Sequence, residues 1–274
     1  MKFSKISVVM SVYKQDNLAY FKTAVESLLS QSYLPAEIII VIDGLISKEL
    51  EDGIDFLLKN PIIKFIRLPK NRGLANALNI GVRAATNCLI ARMDSDDICF
   101  TDRFEKQLVA LNEFNLDIIG GQVIEFGKDT EDIISRRIVP CSHLEMIKLM
   151  KFRSPFTHPT ILFKKEVFYA LNGYDINIFP EDYDFFVRAY LEGFKFGNVK
   201  DEVLWFRIGE NYSEAIKRRW GLSYAMNEFK LYNKFFKINF YNRSDYLKVV
   251  LCKVPIRVLP FFIFKFLYFK LSRS

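Results

Sequence analysis

The chain has 274 residues, half of them hydrophobic and 15% aromatic, which is enough to bury a substantial core and too apolar for a disordered protein. Its net charge of +7 is uneven: residues 217–274 hold thirteen Lys and Arg against two acidic side chains, +11, leaving residues 1–216 at −4. A basic excess confined to the C-terminal segment, with no RNA- or DNA-binding motif, argues against nucleic acid as a partner, and no uncharged apolar run approaches the ~20 residues that span a bilayer. The cysteines at 88, 99, 141 and 252 form no CxxC pair, and the N-terminal stretch lacks a small-residue cleavage site. Free thiols in a reducing compartment are expected.

In chain order, Ile6–Val12 reads as a strand and residues 17–30 as a helix, with Leu18, Phe21, Val25, Leu28 and Leu29 at helical spacing. Residues 37–42 form a β-branched run that stops at Asp43 and Gly44, a buried strand and a turn. A helix is predicted over 47–59 with Ser47 as its cap, and a third strand over 62–68. Asn71, Arg72 and Gly73 open a small-residue helix that runs to Ala85, and a fourth strand covers 88–93. Strands alternating with helices of this length imply a parallel sheet with right-handed crossovers. The first strand–helix turn, SVYKQDN, has neither GxGxxG nor a Walker lysine, which disfavours a common dinucleotide fold and a P-loop nucleotidase. A phosphatase with a nucleophilic aspartate would carry its Asp-x-Asp after the first strand, where this chain has none.

The fourth strand ends in Asp94, Ser95, Asp96 and Asp97. Three carboxylates so close repel one another and cannot be buried unpaired. Two readings stand. The cluster is a solvated turn in which Asp97 or Thr101 caps the next helix, or it lies at the carboxyl end of a parallel strand and shares a hard divalent cation with nucleotide phosphates.

Beyond the cluster, a helix is predicted over 102–114, a strand over 117–126 containing Gly120 and Gly121, and a polar, loop-like stretch before a helix at His143–Met150. A short strand follows at 161–163, a helix at 165–171 stopping at Asn172 and Gly173, a helix at 183–192, and strands at 194–199 and 203–208. Glu181 and Asp182 precede the helix at 183. Carboxylates there serve either as caps for free amides or as a general base for a hydroxyl nucleophile.

The pieces ISVVMSVYK (6–14), IIIVIDG (38–44), NRGLANALNIGVRAA (71–85), LIARMDSDD (89–97), FTHPTILFKKEVF (156–168) and GYDINIFPEDYDFFVRAYLEG (173–193) keep their order across most of residues 5–210. Together they resemble the inverting family 2 glycosyltransferases of GT-A fold, with closest flavour among bacterial enzymes of exopolysaccharide and O-antigen synthesis, including β1,3-galactosyltransferases. The resemblance implies an α/β fold with a Rossmann-like, mostly parallel sheet. It implies a catalytic unit over 1–212, divided into a nucleotide-sugar half (1–97) and an acceptor half (98–212), and a C-terminal helical segment over 213–274. It further implies a UDP-sugar donor, Mn2+ or Mg2+, and a lipid-linked glycan acceptor of the undecaprenyl-diphosphate type.

By the same resemblance, Val12 and Tyr13 line the base and ribose, and Asp43 accepts from the uracil ring. Asn71, Arg72 and Gly73 close over that base. Asp94 and Ser95 lie toward the ribose or donor sugar, Asp96 ligates the metal, Asp182 is the base, and Glu181 holds substrate hydroxyls. His158 is an acceptor contact or a structural hydrogen-bonder. Arg207 is a further candidate contact, although the histidine that often follows such an arginine is replaced by Gly209. The processive Gln-x-x-Arg-Trp signature is reduced to its Arg-Trp end at 219–220, so transfer of one sugar per encounter is expected. An inactive scaffold that keeps the fold and a nucleotidyltransferase are the competing functions. Phe, Tyr, Lys and Arg interleave through 217–274, a pattern that suits a helix on the anionic cytoplasmic face of a membrane or helices packed on the catalytic body.

Overall fold

The computed structural model describes residues 4–57, 59–209 and 212–272. Its first half alternates strands and helices: β1 (Ile6–Val12), α1 (Leu18–Leu29), β2 (Glu37–Asp43), α2 (Lys48–Leu57), β3 (Ile63–Leu68), α3 (Leu74–Ala84) and β4 (Leu89–Arg92). The second half holds β5 (Ile98–Cys99), α4 (Arg103–Glu113), β6 (Ile118–Phe126), β7 (Ile133–Arg137), α5 (His143–Met150), β8 (Leu162–Lys164), α6 (Lys165–Ala170), α7 (Glu181–Leu191) and β9 (Phe196–Arg207). Four helices follow: α8 (Tyr212–Lys217), α9 (Leu222–Lys237), α10 (Arg243–Lys253) and α11 (Phe261–Ser272).

Among the described residues, nine strands join one sheet in the order β3-β2-β1-β4-β8-β6-β9-β5, with β7 paired to β6. The β3-β2-β1-β4 half is parallel, as the alternation predicts. Beyond β4 the sheet is mixed, because β8 runs antiparallel to both β4 and β6 while β6 and β9 are parallel. β1 and β2 are buried on both faces, which is why they read as continuous apolar runs. Val8, Met10, Ile38 and Ile40 face one core with α1, α2 and α4; Val9, Ile39 and Val41 face the other with α3, α7 and α9. Small residues let α3 lie close to the sheet: a Cβ on Gly81 would fall 2.4 Å from Val9 Cγ1.

Several local expectations change. The loop predicted between 126 and 143 contains β7, an edge strand whose Ile133 is half exposed. It is held by pairing with β6 and by ion pairs from Arg136 to Glu202 and Arg137 to Glu125, not by buried alternation. The predicted strands at 194–199 and 203–208 form one strand, β9. Lys200 and Asp201 sit in a bulge, since Gly120 pairs with Asn198 and Gln122 with Glu202. β5 is too short to show in the sequence. Neither Asp97 nor Thr101 caps α4, whose N-cap is Asp102. α7 starts at Glu181, two residues before the predicted start. Residue 58, within the helix predicted over 47–59, lies outside the described residues.

The C-terminal helices pack on the body of the sheet and its helices. Leu231, Tyr232 and Phe235 of α9 and Val249 of α10 are buried in the same core as Phe185 and Phe186 of α7. Lys234 of α9 reaches Asp184, fully buried on α7, at 2.5 Å and Asp175 at 2.9 Å.

Glu37 ties the amino-terminal edge of the parallel strands together. It accepts from Ser7 Oγ (2.6 Å), Lys64 Nζ (2.6 Å), Thr86 N (2.6 Å) and Thr86 Oγ1 (2.7 Å). Burial alone would raise its pKa, but these donors outweigh burial and bring it down to about 2. A carboxylate depressed on folding stabilises the fold above its unfolded pKa, and that contribution is lost as pH falls through the folded value. Glu37 therefore contributes on the order of 3 kcal/mol at neutral pH, lost between roughly pH 4.5 and 2. Urea titration of Glu37→Gln is expected to show a stability loss of that order at pH 7 and a flatter acid dependence than wild type; equal stability of the two proteins at pH 7 would refute this.

Candidate active site

The site forms where the parallel strands end. β2 delivers Asp43, buried, whose Oδ1 accepts from Arg72 N (2.7 Å) and Oδ2 from Gly73 N (2.8 Å). Asn71 Nδ2 donates to the Asp43 carbonyl at 3.2 Å. Gly44 has φ +90°, and a Cβ there would lie 2.5 Å from Asn71 N, so the Asp-Gly turn lets the two loops touch. Asp43 thus organises the loop it was expected to share a base with, and each of its oxygens keeps one lone pair for a ligand. β1 delivers Val12, fully buried, and the half-exposed Tyr13, whose N–H donates to Asp16 Oδ2 at 2.9 Å.

β4 delivers the acidic cluster. Ligand oxygens of Asp94, Asp96 and Asp97 lie within 4.8 Å of one another. Asp97 is fully buried: its Oδ1 accepts from Arg207 N at 2.9 Å, while Oδ2 has no partner among the described residues. Burial, then the charges of Asp94 and Asp16, pushes the Asp96 carboxyl up, and burial with Asp96 and Asp94 pushes Asp97 well up. Asp16 is itself raised to about 6, by burial first. It hydrogen-bonds Ser95, buried within the cluster. An orphaned buried oxygen facing further carboxylates fits a hard divalent cation, which would relieve both the repulsion and the missing partner. Asp97 does not act as the helix cap that one reading of the cluster gave it, and it offers a ligand oxygen alongside Asp94 and Asp96.

Arg92 went unremarked inside the apolar run. It is buried at the end of β4 and grips Asp94 with both Nη atoms, Nη1 at 2.7 Å from Oδ2. Its Nε has no partner among the described residues. Arg103, also buried, supports it from below by donating to the Arg92 carbonyl at 3.0 Å. The signal available in the sequence was an arginine closing a strand otherwise buried on both faces.

The second acidic group opens α7. Pro180 is the N-cap and offers no side-chain cap, so Glu181 and Asp182 lie in the first turn beside free amides. Burial and the charge of Asp182 push Glu181 up; burial raises Asp182 as well, against the Tyr183 amide and the positive charges of Arg92 and Arg219. Arg92 therefore faces both acidic groups, and the positive charge of Arg219 also acts on Asp182.

Two candidates turn inward. His158 lies in a buried 3-10 turn, with Nε2 3.1 Å from Tyr174 Oη and its ring against Phe186. Burial first, then Arg92, holds its pKa well below the usual histidine value, so the ring is neutral. Arg207 donates to the carbonyls of Asp96 (2.9 Å) and Lys128 (2.5 Å) and stacks 3.8 Å from the Tyr20 ring centre. Its role in this geometry is to fix the cluster's backbone.

The model of the family described as "Glycosyl transferase family 2" matches residues 7–171. The chain is 35% identical to an uncharacterised glycosyltransferase of Haemophilus influenzae, over 96% of this chain and 97% of that protein. It is 32% identical to the UDP-Gal:α-D-GlcNAc-diphosphoundecaprenol β-1,3-galactosyltransferase of Escherichia coli, over 98% and 97% respectively. Among solved structures, the mannosyltransferase PcManGT of Pyrobaculum calidifontis, in complex with GDP-Man and Mn2+, superposes with a TM-score of 0.67 at 14% identity, covering 92% of this chain and 70% of that one. A sheet that places two acidic groups around its carboxyl ends, and a family match over more than half its length, lead to one assignment: the chain belongs to glycosyl transferase family 2.

Proposed function

We propose that the enzyme transfers one sugar, with inversion, from a UDP-sugar to a hydroxyl of a glycan on an undecaprenyl-diphosphate-type lipid, as a step of surface polysaccharide synthesis. The relative that acts on a diphosphoundecaprenol acceptor makes a β1,3-galactosyl linkage the leading candidate. The observation that carries this reading is the pair of acidic groups, Asp94/Asp96/Asp97 and Glu181/Asp182, both facing Arg92.

In this mechanism the loop at 71–73, set by Asp43, closes over the base, and Tyr13 lies beside it. A Mn2+ or Mg2+ held by Asp96, with Asp94 and Asp97 alongside, would neutralise the departing diphosphate. Asp182 takes the proton of the acceptor hydroxyl as its oxygen bonds to the anomeric carbon. The bond from that carbon to the phosphate oxygen breaks, and UDP leaves with the electron pair. Base and leaving group on opposite faces require inversion. Burial raises Asp182 toward the pH at which it works, as a general base needs. Glu181, its carboxyl pushed up by burial and by the charge of Asp182, holds a substrate hydroxyl beside it.

We further propose that residues 1–212 are the catalytic unit and 213–274 the unit that meets an anionic, cytoplasmic membrane face. No helix among the described residues is long and apolar enough to cross a membrane. Of the phenylalanines in α11, Phe264 is buried while Phe262 (74%) and Phe266 (67%) are exposed one turn apart. Leu247 and Leu251 are likewise exposed on α10. Peripheral binding through these side chains, with basic residues attracted to anionic lipid, follows.

Asp96→Ala is expected to abolish UDP release from UDP-sugars and Mn2+ binding while the melting temperature holds; full activity in the variant or in excess EDTA refutes the cation site, and release of pyrophosphate instead of UDP indicates a nucleotidyltransferase. Asp182→Asn is expected to lower turnover by roughly 10²–10⁴ with UDP-sugar affinity little changed; lost donor binding with normal turnover at saturation contradicts the base assignment. Because α9 belongs to the core, membrane binding is best tested by point changes: Phe262→Glu with Phe266→Glu should lose flotation with anionic liposomes, and wild-type binding should weaken in salt. Equal binding of wild type to neutral and anionic vesicles would contradict the electrostatic part.

A further inference from the structure

Arg257 lies in the basic C-terminal segment, yet it points inward. It is paired in bidentate fashion with Glu228 of α9, Nε to Oε2 at 2.9 Å and Nη2 to Oε1 at 2.8 Å. The side chains are only 12% and 6% exposed. Two further hydrogen bonds join it to one turn. Nη1 donates to the Arg219 carbonyl at 3.2 Å, and the Arg257 carbonyl accepts from Gly221 N at 2.9 Å. Trp220, between them, donates Nε1–H to the Leu259 carbonyl at 2.7 Å and packs edge-on against Phe261. The turn that carries Arg218 and Arg219 is therefore clamped by residues 257–261.

The same guanidinium touches the other side of the site. Its centre lies 4.7 Å from the Tyr224 ring, and that ring meets Phe179 edge-on at 5.8 Å. Phe179 and Pro180 lead directly into Glu181 and Asp182. Glu228, the partner of Arg257, also accepts from Tyr232 Oη at 3.1 Å, which anchors the assembly in the core.

We propose that Arg257 is a positioning residue for the transfer reaction: it locks the turn at 218–221 on one side and the start of α7 on the other, and so fixes how Arg219 stands relative to Asp182. The proposal rests on the reading of Asp182 as the base. The groups facing Asp182 are Glu181 on its own helix, Arg92 from β4, Tyr174 from the loop before α7, and Arg219 from this turn. Of these, only Arg219 is held by Arg257. A nearby cation favours the carboxylate, so releasing Arg219 raises the pKa of Asp182.

The test is the titration of Asp182 in full-length protein with 13C-labelled aspartate carboxyls, assigned with Asp182→Asn, together with the acid limb of kcat/KM. Arg257→Gln is expected to move both upward by on the order of one pH unit with donor KM little changed and a lowered melting temperature, because Glu228 loses its buried partner, and Arg257→Lys to restore them in part. Arg219→Gln is expected to give the same shift, and the double variant no more than Arg219→Gln alone. A folded Arg257→Gln with wild-type titration, or a double-variant shift equal to the sum, overturns the proposal. Should Arg257→Gln fail to fold, Trp220→Phe removes one clamp hydrogen bond, and an unshifted titration there overturns it as well. The NMR titration does not depend on turnover: a wild type that releases no UDP overturns the transferase reading, whereas an unshifted Asp182 in a working enzyme overturns only the positioning.

Discussion

A single buried cation, Arg92, stands between two groups of carboxylates that would otherwise repel across a desolvated site. It holds Asp94 through both Nη atoms, and its charge is felt at Asp97, Glu181 and Asp182. Burying an unpaired arginine or an unpaired carboxylate is strongly unfavourable, so each group is placed by the other's need for compensation. Arg103 fixes the carbonyl of Arg92 from below, and Arg207 fixes the backbone of Asp96 and the carboxylate of Asp97 from the side. The remaining excess of negative charge, together with the orphaned Asp97 Oδ2, is what a divalent cation would neutralise.

The sheet explains why those groups meet. Its parallel half sends Val12, Asp43 and the acidic cluster to one edge, where open α/β sheets bind ligands. The switch to antiparallel pairing at β8 brings the second half around, so that α7 presents its first turn to the same edge. The C-terminal helices complete this arrangement. α9 supplies core residues behind α7, and the segment at 257–261 clamps the turn that carries Arg219. The part of the chain with the strongest basic charge thus packs behind the helix that opens with Glu181 and Asp182.

Elements whose order came from buried, periodic apolar residues were legible: β1, β2, α1, α3 and the position of Asp94 to Asp97 at a strand end. Elements made by tertiary pairing were not. β7 is an exposed edge strand, β5 has two residues, and the bulge at Lys200 and Asp201 looks like a turn because polar residues interrupt the pattern. Arg92 escaped notice because a charge at the end of an apolar run looks like its boundary; only its partner, two residues on, shows that it is buried. The aromatic–lysine interleaving of α9 fits a membrane surface and a protein core equally well. The pairing of Lys234 with Asp184, which decides for the core at that helix, joins residues fifty positions apart.

The central claim is that Asp94, Asp96 and Asp97 form one cation site that the rest of the edge is built around. Anomalous diffraction at the manganese edge from crystals grown with UDP and Mn2+ tests it most directly. The account predicts a single strong peak within coordination distance of Asp96, with Asp97 Oδ2 turned toward it and Arg92 still on Asp94. A peak elsewhere, or well-ordered UDP with no peak at this cluster, would contradict it.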